Sequence, residues 1–237
     1  MKDYYFCDRC KRFIILKMKK SRFIDLSHTI REGLITYKGL PAPIICDYLS
    51  REQAKGLYGE GATFQIGKIE MVSNTGTYLD CPFHRYHDGH DLAGLPLENC
   101  ADLETIVIQA PFSNDLAIDF TFFQGKNLKN KAILVHTGWS KHWNTETYFS
   151  NHPFLTADAA EYLKKEGVKL VGIDSHNIDD TRSNSRPVHS ILLKHNILIV
   201  EHLTNLGKLP ESGFLFSAVP PKFEGVGTFP VRAMAKI

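Results

Sequence analysis

The chain has 237 residues, of which 43% are hydrophobic and 23% are charged, so it is long and apolar enough to bury a substantial core. Its formal net charge is +2, which argues against nucleic acid as the main partner because phosphate binding needs a concentrated basic surface. No apolar run reaches the ~18 residues of a membrane span, so no membrane partner is expected.

The first residues of the chain are predicted to form a leader. The basic run at residues 17–20 is typical of a solvated segment, with a polybasic patch as the alternative. Cys7 and Cys10 have the spacing of half a zinc knuckle, but no second Cys/His pair follows nearby to complete a tetrahedral site. We therefore predict a leader at residues 1–20, outside the fold, and a single domain at residues 21–237.

The cysteines and the start of the chain bear on its location. The five cysteines are odd in number and scattered, which is typical of free thiols in a reducing compartment. The apolar run at residues 13–16 is too short for the core of a secretory signal, and lysines follow it instead of small residues. The protein is therefore expected in the cytoplasm.

Short segments rich in Ile, Val and Leu, each bounded by polar or turn residues, predict buried strands. They lie at residues 105–109, 132–136, 169–173 and 197–200. Two more strands are predicted near the end of the chain, at residues 214–219 and 227–232.

Two helices are predicted between these strands. Thr156 can cap the first, residues 157–166 are strong helix formers, and Gly167 stands where a left-handed C-terminal residue is favoured. The second helix is predicted at residues 188–194, after Pro187. Because strands outnumber helices and do not alternate strictly with them, we predict an α/β fold with a mixed β-sheet and packed helices.

The segment richest in chemically active side chains covers residues 74–90. Asp80 and His84 flank a proline there, and the proline fixes the backbone between them. A carboxylate and an imidazole held by a rigid turn can serve as a metal ligand and a proton shuttle. The alternative is a surface loop whose polar side chains only satisfy the turn. His87 and His90 are interpreted as residues of an exposed turn.

A second cluster lies around the second helix. His189 is predicted in its first turn, and Glu201 at the end of the strand that follows. A helix-to-strand reversal of this length can return the chain beside its starting point, so the two side chains could converge on one ion. A carboxylate that ends an apolar strand is costly to bury without a counter-charge or metal, and the alternative is a solvent-facing strand end. The neighbouring His195 and His202 are interpreted as surface residues.

Asp80, His189 and Glu201 together would offer one nitrogen and two oxygen donors. Such a set leaves coordination positions for water, as a catalytic Zn²⁺ or Mn²⁺ requires. The ion is useful there because it lowers the pKa of bound water to near neutrality.

The segment at residues 74–84 resembles the signature of the cyclase superfamily, which includes bacterial kynurenine formamidase and isatin hydrolase. The family pattern is His-x-Gly-Thr-His-x-Asp-x-Pro-x-His, and the chain has Asn-Thr-Gly-Thr-Tyr-Leu-Asp-Cys-Pro-Phe-His. Asn74 and Tyr78 thus replace the first two His of the pattern. The resemblance covers about residues 22–235, through Asp25 to His28 (the family's opening strand), Thr36 to Gly39, Val135 to Trp139, Gly172 to Asp174 and Val200 to Leu203.

The resemblance implies a swivelling β/β/α-type cyclase fold and a role for each matching residue. Asp80 would be a bridging metal ligand, and His84 would be the general acid/base. His189 and Glu201 would complete the second metal position. For the substrate, the resemblance places Tyr37 against an aromatic ring.

Two further residues are predicted to bind substrate. They are Phe83, as a second aromatic side chain, and Arg186, as a polar contact. Tyr37, Phe83 and Trp139 are equally compatible with places in the core.

The replaced positions leave three alternatives for the metal site. Asn offers a weak carbonyl oxygen, and Tyr ligates well only as a phenolate, although its pKa is about 10. We expect one divalent ion, Zn²⁺ or Mn²⁺, held by Asp80, His189 and Glu201. The alternatives are two ions, with Tyr78 as an unusual ligand, or none, with His84, Tyr78 and the carboxylates acting by acid/base chemistry alone.

The sequence therefore predicts a hydrolase that cleaves the C–N bond of a small amide, with His84 as general acid/base. The rival hypothesis is a binding protein that kept the fold and lost catalysis, and that holds a small carboxylate or aromatic ligand through Tyr78 and Arg186. The family resemblance further implies a homodimer or a homotetramer.

Overall fold

The structure is a computed structural model that describes residues 22–113 and 115–237. The strands are β1 (Phe23–Asp25), β2 (Ile44–Leu49), β3 (Ile66–Glu70), β4 (Tyr78–Asp80), β5 (Leu103–Gln109), β6 (Ala117–Ile118), β7 (Ala132–His136), β8 (Phe154–Leu155), β9 (Leu170–Ile173), β10 (Leu198–Glu201), β11 (Ser212–Ser217), β12 (Thr228–Pro230) and β13 (Met234–Lys236). The α-helices are α1 (Ala157–Glu166) and α2 (Pro187–Lys194). Short 3-10 helices cover Pro82–His84, Leu97–Asn99, Phe120–Phe123, Trp139–His142, Glu146–Phe149 and Leu206–Lys208. The predicted leader and the Cys7/Cys10 pair lie outside the described residues.

Nine strands form one sheet in the order β1-β13-β11-β5-β7-β9-β10-β4-β12. Its four central strands, β5, β7, β9 and β10, are parallel, and antiparallel strands flank them on both sides. Separate two-stranded sheets are formed by β2 with β3 and by β6 with β8. The predicted mixed sheet is confirmed.

The core lies on both faces of the central strands. Because successive side chains of a strand point to opposite faces, Ala132 and Leu134 of β7 enter one buried cluster, whereas Ile133 and Val135 enter another. The second cluster also takes up the apolar faces of α1 and α2, for example Leu163. Strands covered on both faces need a near-continuous apolar sequence, which is why these segments could be recognised without the structure.

The predicted central strands and both helices are confirmed to within two residues. Thr156 caps α1 by accepting a hydrogen bond from the backbone of Ala159, and Gly167 ends it at φ 71°. The helices have ten and eight residues, and the described ranges contain no helix that could serve as a membrane span.

The opening strand is wrong in position. It was expected at residues 25–28, but β1 ends at Asp25. Beyond it, the Leu26 amide still donates to the Ala233 carbonyl at 2.9 Å, and from Ser27 the side-chain hydroxyl takes the place of main-chain pairing. It donates to the Val231 carbonyl at 3.1 Å and accepts from the Ala233 amide at 2.7 Å.

β4 has no counterpart among the predicted elements, although it positions the chemistry. It is only three residues long and has polar groups at both ends, so it lacks the apolar run that identifies a buried strand. Its neighbours are β10, with Glu201 opposite Tyr78, and β12, with Thr228 opposite Asp80. Directly opposed residues share a face of the sheet, so these four side chains are gathered on one face.

Candidate active site

Asp80 lies at the centre of the gathered polar side chains and is fully buried. Its Oδ1 accepts a hydrogen bond of 2.5 Å from the Thr228 hydroxyl. Its Oδ2 is buried and has no hydrogen-bond partner among the described residues. A buried carboxylate oxygen without a partner is costly in free energy, so this atom is suited to accept a proton donor or a cation.

The His189 imidazole is oriented by a carboxylate behind it. Asp179 accepts hydrogen bonds from the backbone amides of Val188 and His189, in the first turn of α2. The same carboxylate lies 2.6 Å from His189 Nδ1. His189 Nε2 is then directed at two further carboxylates, 3.7 Å from Asp80 Oδ2 and 3.8 Å from Glu201 Oε1.

The carboxylates around His189 favour a positive charge on its imidazole. Burial by itself lowers the pKa of His189, but the nearby carboxylates, Asp179 first among them, raise it to about 10. A proton on His189 therefore balances the buried acidic groups in this state. A divalent cation between the same atoms would do so as well, with the imidazole neutral.

The donor atoms fit a small divalent ion. One ligand atom each from Asp80, His84 and His189 lies within 4.8 Å of the other two. Two ligand atoms held at ~2.1 Å from a Zn²⁺ ion in tetrahedral geometry are about 3.4 Å apart, which is close to the separations between His189 Nε2 and the two carboxylates. A carboxylate behind a histidine ligand is also the usual second layer of such sites.

Glu201 lies 3.8 Å from His189 Nε2 but is not part of the group formed by Asp80, His84 and His189, and it has fewer free lone pairs. It is fully buried, and its Oε1 accepts from the Ile178 amide at 2.7 Å. Its Oε2 accepts from Tyr78 at 2.5 Å and from Tyr37 at 3.1 Å. Burial raises the pKa of Glu201, and the charge on His189 opposes this rise. Its role as a metal ligand stays a prediction.

Tyr78 is held as a hydrogen-bond donor. Burial, and then the charge of Glu201, raise its pKa well above the ordinary value, so the hydroxyl keeps its proton and donates it to Glu201. A phenolate is the form that binds metal, so Tyr78 would have to lose this proton before it could act as a ligand, and the alternative with two ions stays a prediction. Asn74, the other replaced position, lines the cavity.

Thr228 links Asp80 to His84. Its hydroxyl has a single proton, and an ionised Asp80 can only accept it, at 2.5 Å. The 2.7 Å contact between Thr228 Oγ1 and His84 Nδ1 must then be donated by the imidazole. The proton of a neutral His84 is thereby placed on Nδ1, and Nε2 keeps a free lone pair, as a general base requires.

The side chains surround a cavity of ≈ 280 Å³. It is lined by Tyr37, Asn74, Tyr78, His84, Arg85, Asn177, Arg186, His189 and Glu201. A larger groove of ≈ 670 Å³ lies beside the irregular pairing of β5 and β11, and it contains none of the predicted site residues.

The predicted substrate-binding residues have different positions. Tyr37 and Arg186 line the cavity. The Tyr37 hydroxyl also lies 2.8 Å from that of Tyr78. Phe83 packs against the core and is not among the residues that line the cavity, and its role in substrate binding stays a prediction. Trp139 is likewise buried, with its indole nitrogen donating to the Tyr148 carbonyl.

The histidines that were predicted to lie on the surface are exposed in three cases and buried in one. His87, His90 and His195 are exposed, as expected. His202 is not a surface residue, because it is fully buried and its Nδ1 lies 2.9 Å from the Tyr148 hydroxyl. The chain turns inward directly after β10, where His202 has a φ of 56°, and no local pattern indicates that turn.

Sequence reasoning missed Thr228, Asp179, Asn177 and Arg85. The first two act on His84 and His189 through hydrogen bonds rather than through a motif. Asp179 stands in a polar run ten residues before His189, which would have been the only available signal. Thr228 falls within a predicted strand, and nothing in that strand marks it as a partner of Asp80.

Comparisons with known proteins bear on the family and the fold of this chain. Residues 24–180 match the family model described as "Putative cyclase". A kynurenine formamidase from Bacillus cytotoxicus is 28% identical over 220 residues, which cover 92% of this chain and 99% of that protein.

Solved structures show the same fold. Isatin hydrolase A from Ralstonia solanacearum has a TM-score of 0.79 at 22% identity, covering 92% of each chain. Isatin hydrolase A from Labrenzia aggregata, bound to benzyl benzoate, has a TM-score of 0.78 at 20% identity, covering 92% of this chain and 94% of that one.

Proposed function

The chain belongs to the cyclase family, and from this premise we propose that it is a hydrolase that cleaves the C–N bond of a small amide. An N-formyl aryl amine or a cyclic amide is the expected substrate class. The names of its relatives, kynurenine formamidase and isatin hydrolase, support this choice. The observation that carries the proposal is the chain of hydrogen bonds from Asp80 through Thr228 to His84.

Metal binding and proton transfer are assigned to different residues. Asp80, His189 and Glu201 would hold one Zn²⁺ or Mn²⁺. When bound, such an ion lowers the pKa of water and polarises the substrate carbonyl. His84 Nε2 takes the proton of the attacking water and returns it to the leaving nitrogen.

The surrounding groups keep the reacting side chains in place. Asp179 holds the His189 ring, and the charge that develops on His84 is stabilised by Asp80 through Thr228. Tyr78 donates to Glu201 and fixes that carboxylate. Tyr78 would thus position Glu201, and direct participation of its hydroxyl in catalysis stays a prediction.

The second candidate function is binding of a small ligand without catalysis. It is favoured by Asn74 and Tyr78 at the replaced motif positions and by the hydrogen bonds that already occupy Glu201. The unpartnered Asp80 oxygen and the base-ready His84 favour the hydrolase. The homodimer or homotetramer and the cytoplasmic location stay predictions.

The test is hydrolysis of N-formylkynurenine and a panel of cyclic amides by the purified chain, with its metal content measured by elemental analysis. We expect about one equivalent of Zn²⁺ or Mn²⁺ per chain. His84→Ala should lower kcat by ~100-fold or more, because general acid/base catalysis contributes 10²–10⁴-fold. Glu201→Gln should reduce both the bound metal and the activity.

His87→Ala is the matched control, since His87 is exposed three residues further along and lines no part of the cavity. Activity that survives both His84→Ala and Glu201→Gln would contradict the mechanism. An absence of both metal and turnover in the unmodified chain would favour the binding protein.

A further inference from the structure

Two arginines line the cavity without a carboxylate partner. Arg85 and Arg186 both belong to the lining, and neither forms a salt bridge within residues 22–113 and 115–237. The arginines that do form salt bridges in these ranges are Arg182, with Asp180, and Arg232, with Asp25. Guanidinium groups beside an active site are well shaped for a carboxylate, which they can bind with two parallel hydrogen bonds.

Both arginines are held in place through the start of α2. Arg85 Nε donates to the Ser190 hydroxyl at 3.2 Å, and that hydroxyl donates to the Arg186 carbonyl at 2.8 Å. Arg186 Nη1 donates to the carbonyls of Ser183 and Ser185, both at 2.7 Å. These contacts use Nε of one arginine and Nη1 of the other, so donors remain on each for a ligand.

The same cavity offers little to a positively charged substrate group. Among the described residues, its only lining carboxylate is Glu201, which is fully buried and accepts hydrogen bonds at both oxygens. Asp80 and Asp179 lie behind the lining and are also buried. An ammonium group in the cavity would therefore meet two guanidinium groups, because the lining carboxylate is already hydrogen-bonded and the unpartnered Asp80 oxygen lies behind the lining.

We infer that Arg85 and Arg186 form a carboxylate-binding rim, which selects net anionic amides over neutral and zwitterionic ones. The inference rests on the proposed hydrolase function for the reaction, but the rim itself is a binding feature. The expected substrate is an N-formyl aryl amine, or a related amide, that carries a carboxylate and no ammonium group. Opposite charge at the rim would raise both its binding and its rate of capture.

The test compares three kinds of N-formyl aryl amine with the same scissile bond. They are formanilide, which is neutral; the three ring isomers of formamidobenzoate, which are anionic; and N-formylkynurenine, which is zwitterionic. In the unmodified chain, kcat/KM should be highest for one of the formamidobenzoates. Arg85→Gln and Arg186→Gln should each lower the ratio of kcat/KM for that isomer to kcat/KM for formanilide by about 10- to 100-fold.

Matched variants separate charge from structure. Arg85→Lys keeps the charge and should retain part of the preference. Arg22→Gln removes an equivalent charge from an exposed residue whose backbone pairs with Ile237, and it should leave the ratio unchanged. Because Arg186 also bonds the loop before α2, Arg85→Gln decides the matter if Arg186→Gln fails to fold.

An unchanged ratio of the two kcat/KM values in Arg85→Gln would overturn the inference of a carboxylate-binding rim. So would the absence of a preference for the anion in the unmodified chain. If the unmodified chain hydrolyses none of the compounds, the proposed function fails, and titration calorimetry with benzoate and aniline tests the rim separately. Tighter binding of benzoate than of aniline, lost in Arg85→Gln, would still support it. Equal binding of benzoate by both chains would overturn it.

Discussion

The position of one proton decides what His84 can do. A neutral imidazole can act as a base only at the nitrogen that lacks the proton. In this chain Thr228 sets that choice, because its own proton goes to Asp80 and its lone pair faces His84 Nδ1. Thr228 is thus a positioning residue, which acts on the reaction through His84.

Removing the Thr228 hydroxyl should affect the reaction more than the fold. Thr228→Val keeps the shape of the side chain but leaves Asp80 Oδ1 and His84 Nδ1 without their shared partner. We expect kcat to fall by roughly 10–100-fold, as is common when a group behind a reacting histidine is lost. The acidic limb of the pH–rate profile, along which the general base must lose its proton, should move as well, because the imidazole loses its link to Asp80.

Thr228→Ser keeps the hydroxyl and should restore most of the activity. If Thr228→Ser and Thr228→Val show the same kcat and pH profile, the hydroxyl does not set the tautomer of His84. Thermal unfolding of both variants would show whether a loss of activity arises from the fold instead.

At the level of elements, the turn that carries His84 is packed against β12. A Cβ atom added to Gly227 would meet the backbone of His84, lying 2.5 Å from its Cα. Gly227 also accepts the Cys81 amide through its carbonyl, so it supports both ends of the short helix Pro82–His84. Close approach of two backbones is the reason for glycine here, since no side chain fits between them.

Gly227→Ala should therefore displace His84 from Thr228. The clash is with backbone, which cannot rotate away, so we expect a loss of kcat and a destabilisation of about 1–3 kcal/mol from overpacking. Denaturant unfolding and steady-state kinetics measure the two effects. Gly59→Ala is the matched control, because its Cβ would meet nothing within 4 Å. Equal stability and activity in the two variants would show that the turn can shift at no cost.

For the molecule as a whole, a cluster of buried imidazoles makes the stability of the fold sensitive to acid. His176 packs against His152, with ring centroids 5.2 Å apart, and against His202, at 5.8 Å. The ring of Tyr148 also packs against His176, with ring centroids 5.5 Å apart. His176 Nδ1 and His202 Nε2 are buried without hydrogen-bond partners among the described residues.

These surroundings penalise the charged imidazole. Burial lowers the pKa of His176 to about 3 and that of His28 to about 4, and it also lowers the pKa of His202. In the unfolded chain the same groups titrate near 6.5. Between these values the unfolded state binds more protons, so stability is fully present above about pH 6.5 and is lost as the pH falls below it.

His176→Phe should reduce that acid sensitivity. At pH 5 a histidine that cannot be protonated in the folded state costs about 2 kcal/mol, which is 1.4 kcal/mol for each unit below its unfolded pKa. Guanidinium unfolding at pH 7 and pH 5 measures this difference, and we expect it to shrink in the variant. His87→Phe, at an exposed position, should leave the difference unchanged. The same pH dependence in His176→Phe and in the unmodified chain would contradict the assignment.

The hairpin of β2 and β3 bears on the predicted homo-oligomer. It pairs with no other strand of the described residues, and two strands alone are marginally stable in water. Its exposed side chains include Ile45 and Ile69, which lie directly opposite each other, with exposures of 37% and 62%. Contiguous exposed apolar side chains are typical of interaction surfaces, so the hairpin is the surface where a contact between copies is expected.

The sequence by itself determined the central strands, both helices, and the residues of the motif and of α2 that meet in the cavity. Apolar runs mark strands that are covered on both faces. The ends of α1 can be recognised in the sequence from its cap, Thr156, and its terminal glycine, Gly167. Asp80 and His84 are four residues apart, so their proximity is local.

Only the tertiary structure decided which polar atoms face one another. Thr228 and Asp80 are separated by 148 residues, and Tyr78 and Glu201 by 123, and antiparallel register alone makes them neighbours. Periodicity shows which face of a strand is apolar, but it does not show which strand lies beside it or in what register. For the same reason the burial of His202 and the position of Arg85 and Arg186 on one cavity could not be predicted from neighbouring residues.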